Sequence, residues 1–194
     1  MNHNEEEYRM GTRNLTCVMT GGEYKVAQYG QWDGYPSGQG LTALRFLRDA
    51  DLACLKQKAE AARWISADEI EALNQTNWKI THPQLSRDHG AKILSMISNS
   101  EDGIVLLDSL NFAAESLMCE WAYVIDLDKK TFEAFEGFNE AGPVSEDERF
   151  AFLNDKAEHG YYPVKHVHTF SLDALPSDEE FLSILEPDEG EEDA

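Results

Sequence analysis

Five segments of this chain alternate apolar and polar residues with a period of two, which commits it to a sheet. Along residues 13–20, Leu15, Cys17 and Met19 fall on one face and Thr16, Val18 and Thr20 on the other. Gly21-Gly22 then reads as a hairpin turn, and residues 24–32 alternate as the returning strand. A second hairpin is predicted from 119–127 and 131–138 about a turn at 128–130. There Cys119, Trp121, Tyr123 and Ile125 share a face, and the partner strand offers Phe132, Ala134 and Phe138. Residues 162–172 alternate as a final strand.

The middle of the chain changes period. Leu41, Leu44 and Leu47 mark one helix, and Asp51 caps a second that carries Leu52, Leu55, Ala59 and Ala62 through Trp64. Ser66 and Glu69 form a capping box for a short third helix holding Ile70 and Leu73. Residues 75–85 read as irregular, with His82 before Pro83 opposing helix. Ser86 is expected to cap the next helix, buried through Ile93, Leu94, Met96 and Ile97. Residues 108–118 and 148–156 have helical character, and Pro176 and Ser177 start a terminal helix reaching Leu185. Strand pairs at both ends around a helical middle define an α+β fold: one mostly antiparallel sheet with helices on one face. We expect a polar extension at 1–10, one domain at 11–186 and an acidic tail at 187–194. Met10, directly before GTRN, is a second candidate start.

The formal net charge is −21. Ten acids and no Lys or Arg lie in 173–194, so much of the excess sits at the C-terminal end. This balance argues against binding to a nucleic-acid backbone, which needs clustered bases, and suits contact with a basic partner. Three cysteines, Cys17, Cys54 and Cys119, make an odd set without CxxC spacing, which fits neither a disulfide framework nor structural zinc. No apolar run approaches membrane-span length, and the first residues have no signal-peptide character, so a cytoplasmic protein is expected.

The candidate functional stretch is 29–40, YGQWDGYPSGQG. Four glycines and Pro36 set its course, and Trp32 and Tyr35 surround one acid, Asp33. Gly38 and Gly40 ahead of a helix suit an anion held on backbone N–H groups, or a tight strand-to-helix corner capped by Ser37 or Thr42. Asp33 reads as an acid or base with a raised pKa among apolar neighbours, or as an Asx-turn residue bonding its own backbone. His166 and His168, two apart on a strand, are a weak metal pair with Cys119 or Glu120 as a third ligand, or else packed sheet histidines. Cys17 and Ser37 are the nucleophile candidates, without a GxSxG elbow around either. An N-terminal nucleophile would need cleavage before Thr12.

The segments GTRN (11–14), QWDGYPSGQG (31–40), CEWAYVIDLD (119–128) and YYPVKHVHTFSLDALPSDEEFL (161–182) resemble a family of small uncharacterised bacteriophage and prophage proteins. Its members open with a GTR- or STR-like start, a hairpin and a D-x-YPSG-x-G loop. The resemblance implies a cytoplasmic phage-type accessory protein, supplies no catalytic residues and implies no cofactor. The expected function is therefore a non-enzymatic binder of a host or phage macromolecule. Its contacts would be Trp32, Asp33, Tyr35, Ser37, Gly38 and Gly40 together with the acidic surface. The alternative is a small hydrolase with its active site at Asp33 and the YPSG loop.

Overall fold

A computed structural model describes residues 11–101 and 103–187. The expected extension at 1–10 and the tail beyond Pro187 lie outside the described residues. Strands β1 (Asn14–Thr20) and β2 (Glu23–Gly30) form the first hairpin. Its turn places Gly21 and Gly22 at φ of 63° and 72°, the left-handed region that glycine enters without strain. A two-stranded parallel ribbon joins β3 (Arg63–Trp64) to β4 (Val105–Leu106). The second hairpin is β5 (Trp121–Asp126) with β6 (Thr131–Glu136), and β7 (Lys165–Ser171) adds antiparallel to β6. The hairpins meet through β1 and β5, which run parallel, giving the order β2-β1-β5-β6-β7. The fold is α+β, and its sheet is mostly antiparallel as expected.

Helices α1 (Leu41–Asp49), α2 (Leu52–Ala61), α3 (Ala67–Leu73), α4 (Trp78–Thr81), α5 (Ile93–Ser98) and α6 (Asp178–Leu185) complete the elements. Four of them, α1, α2, α5 and α6, cover one sheet face. Leu44, Leu55, Ile93, Ile97 and Phe181 bury themselves there against Val18, Val26, Tyr123, Phe132 and Phe170. Each such side chain contributes about 1.5–3 kcal/mol on burial, so this face carries most of the stabilisation. The other face is covered too. Leu15, Cys17, Val124 and Phe135 pack beneath Ala113 and Ala114 from a 3-10 turn (Leu110–Ala114) and beneath Phe150 and Leu153.

Several expectations shift locally. Helix α2 stops at Ala61 because Arg63 and Ile65 give their N–H groups to Ile104 and Leu106, pulling Trp64 into the ribbon. The stretch 75–85 is not wholly irregular, since it holds α4 and a 3-10 turn (Pro83–Leu85). Ser86 accepts the Asp88 N–H in a local turn rather than capping a helix, and α5 starts only at Ile93. Cys119 precedes β5 and joins the second core, opposite Tyr123 and Ile125. Phe138, past the end of β6, is 54% exposed with φ of 51°.

The predicted capping box at Ser66 with Glu69 is present, and Ser177, the expected start of the terminal helix, forms a second with Glu180. The Arg63 guanidinium, at 2.6 and 2.9 Å from the Glu69 carboxylate, together with the Ser66 N–H, holds Glu69 down to about 2 from the ordinary 4.5. A lowered carboxylate pKa means that the stabilisation is complete above about 4.5 and is lost as pH falls through about 2. Carboxyl NMR should therefore find the Glu69 titration midpoint near 2. A midpoint at the ordinary value would show the ion pair is absent in solution.

Candidate functional site

The loop 29–40 leaves the end of β2 and enters α1 through a π-helical turn, Pro36–Gly40. Its interior is built from polar contacts that alternation does not reveal. Asn14, fully buried at the start of β1, donates to the carbonyls of Gly30 (3.3 Å) and Trp32 (3.4 Å). Gln39, also buried, donates to the Trp32 carbonyl and accepts the Ala91 N–H at 2.8 Å. Beneath the loop, the Tyr123 hydroxyl donates to the Gly34 carbonyl at 2.9 Å, and burial holds that phenol well above its ordinary pKa. Neither Asn14 nor Gln39 stood out in the sequence. The one available signal was Gln39 set between two glycines.

The glycines serve close packing by the loop itself. A Cβ on Gly38 would lie 2.1 Å from the Asp33 carbonyl oxygen, and one on Gly34 would lie 2.7 Å from that of Thr12. On Gly40 it would press on Phe181 and Tyr123 at 3.0 Å. The N–H groups that an anion would need are spent inward: Gly38 and Gly40 donate to the Tyr35 carbonyl and Gln39 to that of Asp33. Ser37 instead turns its N–H and hydroxyl to Glu186 Oε1, at 3.4 and 3.3 Å. The geometry is thus the tight corner and not an anion cradle. Neither expected cap forms, because α1 continues the π-turn and Thr42 Oγ1 donates back to the Gly38 carbonyl.

What the loop presents outward is aromatic. Trp32 is 45% and Tyr35 40% exposed. The Trp32 indole donates to Asp88 Oδ1 at 3.1 Å, and that bond, with one from Ser86, lowers the Asp88 pKa. Asp33, between Trp32 and Tyr35 in sequence, has φ of 54°. Its carboxylate accepts the Tyr35 hydroxyl at 3.2 Å rather than closing an Asx turn. Among the described residues, neither Asp33 nor Ser37 is hydrogen-bonded to a histidine; the His89 ring is held on the Pro83 carbonyl.

The remaining sequence candidates are dispersed. Cys17 and Cys119 are buried free thiols whose pKa values burial pushes up, which makes Cys17 a poor nucleophile. A bulge in β7 pairs Ala134 with His168 but Phe135 with His166, leaving Val167 extra. It sends the two histidines to opposite faces. His168 lies on Phe170 (4.5 Å between ring centroids) and His166 edge-on to Phe135 (5.4 Å), so the expected shared face for a metal pair does not exist. Among the described residues no group of three or more His, Cys, Asp or Glu is arranged for a metal ion. No described helix is long and apolar enough to cross a membrane.

The fold and loop define a class: an α+β domain bearing a rigid, glycine-packed aromatic loop at the end of its sheet. Comparison of the chain with protein-family models, curated proteins and solved structures finds no match.

Proposed function

We propose that this chain is an acidic, non-enzymatic accessory protein of phage or prophage type, acting in the host cytoplasm. It binds a protein partner through Trp32 and Tyr35 with the acidic surface around them. The observation that carries the reading is the exposure of two large aromatics on a loop whose interior is fully committed to holding its shape. Rigid exposed aromatics are the side chains that dominate protein interfaces, because little entropy is lost when they are covered. The net charge of −21 favours a basic partner surface and speeds its approach.

Trp32→Ala with Tyr35→Ala tests this. Affinity capture from lysate of an infected host should lose its specific partner, while the melting temperature falls by less than about 4 °C, since half-exposed rings cost little stability. Partner retention by the folded double variant, or lost binding only in step with unfolding, overturns the reading.

A further inference from the structure

We infer that a cleft at the far end of the sheet binds an organic cation, an amine or guanidinium group on an apolar stem. This site is separate from the loop and does not rest on the reading above. The second sheet face is apolar at Leu15, near the start of β1, but becomes polar at the Met19 end, about 14 Å along. There a cavity of about 680 Å³ opens between the sheet and residues 145–152, within the range of small-molecule sites.

Glu133 and Arg149 line it and form an ion group with Asp126, which lies outside the lining. Arg149 reaches from the covering segment to Glu133 and, at 3.0 Å, to Asp126 Oδ2. The three side chains are only 9%, 10% and 4% exposed. Four of the five guanidinium N–H groups are engaged: Nε and Nη2 serve Glu133, Nη2 also Asp126, and Nη1 the Met19 sulfur. That leaves an incoming anion at most one N–H on it. Two carboxylates against one cation leave a residual negative charge in a poorly solvated place. Asp147 and Glu148 also line the cavity, and Lys129 is the one further lysine or arginine there.

The walls complete the match. Tyr24 and Phe152 form an aromatic corner, their centroids 6.4 Å apart at 46°. Phe152 is 53% exposed, and the buried Tyr24 hydroxyl, near Arg149, completes no hydrogen bond of good geometry among the described residues. Aromatic faces beside excess carboxylate attract an organic cation and repel an anion. The group is supplied either by a free amine or by a Lys or Arg side chain of a peptide.

NMR titration of the full chain separates the cases. The probes are phenethylamine, agmatine, an acetyl-Gly-Arg-Gly amide peptide, and phenylacetate as the anionic control. The cations should bind with shifts confined to Tyr24, Glu133, residues 145–152 and His166. Binding by the amines points to a free ligand, and binding by the peptide alone points to a side chain; either supports the site. Asp147→Asn with Phe152→Ala, both at exposed positions, should weaken binding about tenfold while the fold is retained. Trp32→Ala should leave it unchanged, which separates this site from the loop. No cation binding up to about 10 mM, phenylacetate binding as tightly, or an unaffected double variant overturns the proposal.

Discussion

Gly38→Ala should lower the melting temperature by about 6–12 °C, the equivalent of about 3 kcal/mol in a chain of this length. The added Cβ would stand 2.1 Å from the Asp33 carbonyl oxygen, well inside any tolerable contact. That oxygen cannot step aside cheaply. It accepts the Gln39 N–H at 2.8 Å, and Asp33 is already held at φ of 54°. Relief would have to come from moving the π-turn, which carries Gly40 against Phe181 and Tyr123. If Gly38 instead left room for a ligand, alanine would block binding and leave stability alone. Thermal melts of the purified variant decide this: a change within about 2 °C would return Gly38 to the set of contact residues.

That distinction marks the boundary of what the sequence shows. The hairpins were legible because period-two alternation and a Gly-Gly turn act over a few residues, and the first capping box because Ser66 and Glu69 are three apart. The parallel pairing of β1 with β5 was not legible, since it joins Asn14 to Trp121 with no local signal. The β7 bulge, an extra Val167 between the partners of Ala134 and Phe135, has no local signal, and it alone undid the face shared by His166 and His168. The loop was visible as a glycine-rich stretch, yet its pattern did not tell packing glycines from open ones. Asn14 and Gln39 hold it through hydrogen bonds from buried side chains, to Trp32 and Ala91. The cleft was missed for the same reason: Asp126, Glu133 and Arg149 come from two strands and a covering segment, and only folding assembles them.

Arg149→Ala should cost about 3–5 kcal/mol, because removing one partner of a buried ion group strands the others. Burial opposes the Arg149 charge, but Glu133 and Asp126 more than offset this and hold its pKa above the ordinary value. The wild-type cation therefore stays charged throughout an acid titration. In the variant, two carboxylates are left in a poorly solvated place without a counter-ion, which raises their pKa in the folded state. A raised folded pKa means the folded chain takes up protons before the unfolded one does, so stability rises as pH falls. The deficit relative to wild type should be largest at pH about 7 and narrow toward pH about 4.5. Changing all three residues together, with Arg149→Met, Glu133→Gln and Asp126→Asn, should recover most of the loss. No charge is then stranded, and the side-chain amide at position 126 keeps an acceptor for the N–H groups of Asp128 and Lys129. Methylguanidine at millimolar concentration should also partly restore the alanine variant by occupying the vacated place, a gain that follows RT ln(1 + [L]/Kd). Urea melts of the four samples across this pH range give the answer. A deficit under about 1 kcal/mol that does not change with pH would mean that water, rather than Arg149, satisfies the two carboxylates.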